Sequence, residues 1–201
     1  MVSKGSKTIF LDIGGVLLTN GWDYPAREKA AKHFELDIIA MDKLHSFIFN
    51  IYEIGKISLD QYLDTVIFGK PRKFTKKEFA DFMYAQSEEL PGIIPWLSKW
   101  KKENHRRIIA INNEGREMNE YRIQKFGLRD CFDAFVSSCE VGMRKPDPGI
   151  FQLALGIAQT KTTDCIYFDD RQMLVDAATT LGIPSYKHDT FEKTKTILEN
   201  L

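Results

Sequence analysis

Four small polar clusters hold the side chains of this sequence best suited to chemistry: Asp12 with Gly14-Gly15 behind it, Asn112-Asn113, Arg144-Lys145-Pro146-Asp147, and Asp169-Asp170. Taken singly, each has an ordinary use. An aspartate before a turn caps a helix, an Asn-Asn pair signals a turn, a lysine before proline sits in a solvated loop, and two aspartates ahead of a helix favour its positive end. Brought together they would behave differently. Three carboxylates and one ammonium sum to about −2, and like charges a few ångströms apart oppose joint ionisation. A divalent cation relieves that repulsion. Oxygen ligands with room left for water and a phosphate oxygen suit Mg2+, and no histidine or cysteine stands in these clusters to favour zinc.

Whether the clusters meet depends on the elements that carry them. Five short runs rich in β-branched and aromatic residues predict strands: TIFLD (8–12), RIIAIN (107–112), AFVSS (134–138), CIYFD (165–169) and IPSY (183–186). Between the later ones, Ile150, Ala154, Ile157 and Ala158, and then Leu174, Ala177, Ala178 and Leu181, each place apolar residues on one helical face. Alternating strand and helix predicts a layered α/β fold with a mostly parallel sheet. Open parallel sheets bind ligands beyond the carboxyl ends of their strands. All four polar clusters stand at or just past such an end, a coincidence that capping explains poorly.

One interval interrupts the alternation. Residues 19–90 contain no convincing strand but several helical stripes, such as Leu44, Phe47, Ile48 and Ile51, or Phe79, Phe82 and Met83, with Gly55 and Gly69-Lys70-Pro71 as breakers. This predicts a helical unit over 19–90, inserted into a core made of 1–18 and 91–201.

With 28 basic and 28 acidic residues among 201, the chain has zero net charge, which disfavours general capture of nucleic acid or anionic lipid. Cys131, Cys139 and Cys165 lack metal-binding spacing and fit free structural thiols in a reducing compartment. No apolar run reaches the roughly 18 residues of a membrane span, and the start, MVSKGSK, lacks the pattern of a secretory signal. A cytoplasmic setting is expected, while oligomeric state leaves no trace in the sequence.

Asp12 followed by GGVL, then Asn112-Asn113, GMRKPDPGIF (142–151) and YFDDRQMLVDAA (167–178) together resemble the haloacid dehalogenase-like hydrolases over the whole chain. The likeness is strongest to the branch containing the phosphatase domain of soluble epoxide hydrolases and bacterial sugar-phosphate phosphatases, whose helical caps also carry segments similar to YEIGKIS (52–58). The resemblance implies a Rossmann-like core with an inserted α-helical cap, and a Mg2+-dependent hydrolase acting on a small phosphorylated metabolite. It further implies that Asp12 is the nucleophile and forms an aspartyl-phosphate. Asp170, Asp12 and the Gly14 carbonyl would hold the metal, with Asp169 ligating through water or orienting its neighbour. Lys145 would neutralise the nucleophile and a phosphoryl oxygen, and Asn112 and Asn113 would bind substrate.

Two positions depart from the family pattern. Gly14 stands where a second aspartate usually protonates the leaving group, a contribution of roughly a hundred- to ten-thousand-fold in rate. Asn112 replaces the usual serine or threonine. The first departure keeps open a metal-independent 2-haloacid dehalogenase, which needs no such acid but leaves Asp169-Asp170 unexplained. It also keeps open a catalytically weak phosphate-binding module, in which Trp22, Tyr24, Phe49, Tyr52, Tyr84 and Trp96 form a pocket or partner surface. Arg27, a possible halide-capturing group for the dehalogenase, reads more simply as a surface arginine. Asp23 and His33 are the early-cap groups that could supply a proton.

Overall fold

The computed structural model describes residues 7–201. Most of the MVSKGSK start thus lies outside the described residues. Five strands, β1 (Thr8–Leu11), β2 (Ile108–Asn112), β3 (Ala134–Ser137), β4 (Cys165–Asp169) and β5 (Ser185–Lys187), form one sheet in the order β3-β2-β1-β4-β5. Every pairing is parallel. The strands agree with the apolar runs except at their ends: the last begins after Pro184, whose missing N–H cannot join a ladder.

Among the described residues ten α-helices surround or extend this sheet: α1 (Tyr24–His33), α2 (Ile38–Glu53), α3 (Leu59–Val66), α4 (Lys76–Ala85), α5 (Ile93–Asn104), α6 (Arg116–Lys125), α7 (Ser138–Val141), α8 (Pro148–Ala158), α9 (Gln172–Thr180) and α10 (Phe191–Glu199). Alternation within β1 divides the core. Ile9 and Leu11 pack with residues of α5, α6 and α10 on one face, whereas Phe10 packs with those of α8 and α9 on the other. Both faces being covered explains why the strands are apolar nearly throughout. The chain runs outward from β1 to β2 and β3, then crosses to β4 on the far side of β1. The direction of winding therefore reverses at β1, and the crevice opens where Asp12, Asn112 and Asp169 end their strands.

Helices α1 to α4 form the inserted cap, built on a second cluster that includes Trp22, Ala30, Tyr52, Tyr62, Phe79 and Met83. Their starts are locally encoded. Asp23 and Asp37 cap α1 and α2, and Ser58 with Gln61 and Thr75 with Glu78 form capping boxes on α3 and α4. The buried stripe of α2 differs from the expected one. Met41, His45 and Tyr52 are buried while Leu44, Phe47 and Ile51 face outward, Phe47 with 80% of its surface exposed. The helical period is right but the buried face is rotated, with Ile48 alone of the expected stripe packing against the cap core, because His45 and Tyr52 bury their rings with their polar atoms bonded or enclosed. Ile157 of α8 is likewise half exposed.

The chain enters and leaves the cap side by side. Leu90 N donates to Leu17 O at 2.9 Å and Thr19 N to Glu88 O at 2.9 Å, so the two connections form a short antiparallel ribbon. Cap and core then meet closely. Gly55, at a positive φ of 70°, leaves no room for a Cβ against the Cys139 carbonyl, and Gly115 lies flat under the Tyr52 ring.

Candidate active site

Lys145 is the centre of the site. Its side chain is 1% exposed, and its ammonium lies 2.7 Å from Asp169 Oδ2 and 3.1 Å from Asp12 Oδ1. It also donates to the Tyr167 hydroxyl at 3.1 Å, and that hydroxyl donates in turn to Asp169. Burial alone would lower the lysine's pKa, but Asp12 and Asp169 outweigh it and hold the ammonium above its usual value. Asp12 is held in place by the N–H of Ile13, which donates to Oδ1 at 2.8 Å. Burial pushes its carboxyl up to about 7, with Lys145 pulling down and Asp169 pushing up.

Asp12, Asp169 and Asp170 each direct a carboxylate oxygen into one spot, all within 4.8 Å of one another. Asp170 Oδ2 accepts from Asn20 Nδ2 at 3.1 Å, whereas Oδ1 is buried without a hydrogen-bond partner. Burial raises the Asp170 pKa, as expected of an uncompensated carboxylate. An orphaned buried oxygen beside two further carboxylates is a donor set that could hold a hard divalent cation. Asp169 has less freedom: besides Lys145 and Tyr167, it accepts from Arg171 N at 2.9 Å through Oδ1. A Cβ at Gly15 would overlap the Asp170 carboxylate, so that approach requires glycine.

A cavity of about 70 Å³ opens above these groups, lined in part by Asp12, Gly14, Asn112, Asn113 and Lys145. The two asparagines are already occupied. Asn112 donates to Asn119 Oδ1 at 3.0 Å and accepts from Ser137 Oγ at 2.8 Å. Asn113 exchanges two hydrogen bonds with the Lys145 backbone, donating at 2.9 Å and accepting at 2.8 Å. It thereby fixes the loop that delivers the lysine.

The same cavity is lined by residues that sequence reasoning missed, among them Asn20, Glu53, Glu114, Arg122 and Arg171. Glu114 and Arg122 form a buried ion pair at 2.8 Å. Tyr167 was within reach of inference, since it stands two residues before Asp169 and shares its face of β4. Asn20 carried no such signal, and Glu53 lies in YEIGKIS (52–58), whose likeness to other caps does not say which side chain faces the core. Of the aromatics considered from sequence, Trp22 and Phe49 line the cavity, whereas Tyr52 is buried in the cap core and Tyr84 stacks on Tyr121. Trp96 belongs to α5, outside the cap, and stacks on Trp100. Arg27 is not a surface residue: it is buried and bonded to Asp42 at 2.7 Å and to the Trp22 carbonyl at 2.9 Å. Asp23 lines the cavity but its carboxylate caps α1, and His33 packs on Phe34 and Phe82 outside the cavity lining.

The sequence profile of the haloacid dehalogenase-like hydrolases matches residues 6–182. The chain belongs to this family. Among relatives of this hydrolase, Drimenol cyclase drtB of Aspergillus calidoustus is 28% identical over 89% of the chain and 33% of its own length. Phosphatase MT3486 of Mycobacterium tuberculosis is 28% identical over 57% of the chain and 52% of its own length. The chain thus spans between a third and about half of these relatives. A haloacid dehalogenase-family enzyme of Bacteroides thetaiotaomicron, solved with magnesium and inorganic phosphate, shares the fold with a TM-score of 0.77 at 20% identity, covering 94% of this chain and 99% of its own. Among the described residues no helix is long and apolar enough to cross a membrane.

Proposed function

We propose that this hydrolase cleaves a small phosphate monoester through an aspartyl-phosphate on Asp12, with the segment 19–90 acting as the cap over the site. The observation that carries the reading is the pairing of Lys145 with Asp12 at 3.1 Å next to the orphaned Asp170 Oδ1. The ammonium holds Asp12 Oδ1 and supplies positive charge where phosphoryl oxygens gather it. The other Asp12 oxygen attacks phosphorus, the ester bond breaks, and water later releases phosphate and restores the carboxylate. Asp12, Asp170 and the Gly14 carbonyl would hold Mg2+, with Asp169 keeping Lys145 in line and bonding the Arg171 N–H. When bound, the metal neutralises the carboxylates and polarises the phosphoryl group. Asn113 positions Lys145, and the second N–H of Asn112 is its remaining means of reaching a phosphoryl oxygen.

A phosphatase among the curated relatives, and a neighbour in fold that binds magnesium and inorganic phosphate, support the same chemistry. Three free, buried thiols support a reducing, cytoplasmic setting. The reading is tested with a chromogenic aryl phosphate: Asp12→Asn and EDTA should each abolish hydrolysis. Release of halide from chloropropionate in EDTA, with no phosphatase activity, would overturn it in favour of the dehalogenase.

A further inference from the structure

Gly14 leaves the site without the side chain that would ordinarily protonate a leaving group, and the local packing shows what replaced it. A Cβ at position 14 would lie 2.9 Å from Asn20 Oδ1, so the Asn20 amide occupies the space a second carboxylate would need. We propose that Glu53, at the carboxyl end of α2, is the catalytic acid and base of the cavity. The proposal rests on the phosphatase reading above.

Glu53 lines the same cavity as Asp12 and Lys145 although it is contributed by the cap. It is 7% exposed. Its Oε2 is 2.8 Å from Arg144 Nη2, an ion-pair distance, but accepts no hydrogen bond. The other carboxyl groups lining the cavity are committed. Asp23 accepts from Ala26 N at 3.0 Å, and Glu114 accepts from Arg122 at 2.8 Å and from Gly115 N at 3.1 Å. The Glu53 backbone is anchored, since its carbonyl accepts from Ser138 Oγ at 2.7 Å. The groups acting on its carboxyl are Arg144 in the loop after α7, Glu114 after β2, Arg171 at the start of α9, and Lys145. Burial outweighs the cations and, with Glu114, raises the pKa to about 7, so the carboxyl lies in the range suited to both giving and taking a proton near neutrality.

The steps balance. As Asp12 attacks and the ester P–O bond breaks, the Glu53 proton passes to the departing alkoxide, giving the alcohol. The resulting carboxylate then takes a proton from the water that attacks the aspartyl-phosphate, which releases phosphate and returns both residues to their starting states.

Glu53→Gln is assayed on a 4-nitrophenyl ester and on a simple alkyl phosphate. The amide cannot donate the proton, so turnover of the alkyl ester should fall by roughly a hundredfold or more. Nitrophenolate needs no proton to leave. The aryl ester should therefore give a burst of about one equivalent, followed by slow release because the attacking water has lost its base. Unchanged alkyl turnover, or equal loss on both esters with no burst, would overturn the proposal. Arg144→Gln tests it without touching the carboxyl: the basic limb of the alkyl-ester pH profile should move to higher pH, and an unmoved limb counts against Glu53. A wild-type protein inactive on both esters refutes the phosphatase reading itself, whereas an active wild type with an unaffected Glu53→Gln refutes only this assignment.

Discussion

Lys145 and Asp12 respond to substitution in opposite ways. Lys145→Met removes the cation from between two buried carboxylates, which should cost about 3 to 5 kcal/mol of stability as well as all turnover. Asp12→Asn removes a charge whose burial is unfavourable and leaves Lys145 its bond to Asp169, so it should be inactive yet at least as stable as wild type. Urea unfolding of the two variants beside the parent separates these cases. Equal destabilisation would mean that Asp12 serves the fold as much as the site. The four residues of this centre were legible because each ends or follows a strand. Asn20 and Glu53 were not, because nothing in a cap sequence says which of its polar residues will be turned toward the core.

At the scale of the element, α2 shows where sequence periodicity fails. Its apolar residues outnumber the positions its partners can bury, so periodicity points to the stripe through Leu44, Phe47, Ile48 and Ile51, whereas the buried one runs through Met41, His45, Ile48 and Tyr52. Tertiary packing chose the second, in which Tyr62 OH receives a hydrogen from Trp22 Nε1 and meets His45 Nδ1 at 2.9 Å. That choice has a pH signature. Burial, and then Arg27, lowers the His45 pKa to about 4 against the upward pull of Asp42. Between about 4 and the unfolded value near 6.5, the unfolded chain binds the proton and the folded chain does not, so stability is full above that window and falls as the pH drops through it. His45→Gln should lose less stability than wild type between neutral pH and about 4.5. Equal losses in urea midpoints would exclude His45 as the source.

The whole molecule gathers acidic groups at the point where its sheet changes direction of winding. Zero net charge means that anions are not drawn to it generally, and under the proposed function the attraction would come from Lys145 and a cation held by Asp12 and Asp170. Binding such a cation to the folded state alone raises stability, by about 2.7 kcal/mol at a hundred times the dissociation constant. Thermal unfolding in Mg2+ should therefore occur at higher temperature than in EDTA, and Asp170→Asn should abolish most of the difference. A shift that survives in this variant would place the cation elsewhere. The α/β class and the helical insertion were readable from alternation and its interruption. The strand order was not, since it depends on which side of β1 each crossover returns to.

The ribbon joining cap to core has a consequence for how such a molecule can change over time. Because Leu17 and Leu90 are hydrogen-bonded neighbours, the insertion begins and ends at adjacent points, and the core chain would nearly close on itself across the gap. The cap is thus a cassette: its helices can be lengthened, reshuffled or exchanged for another unit whose ends also lie together, while the strands that present Asp12, Lys145 and Asp170 keep their register. Since Glu53 belongs to the cassette, replacing the cassette would, on the proposed assignment, exchange proton transfer and substrate preference together and leave Asp12 where it is.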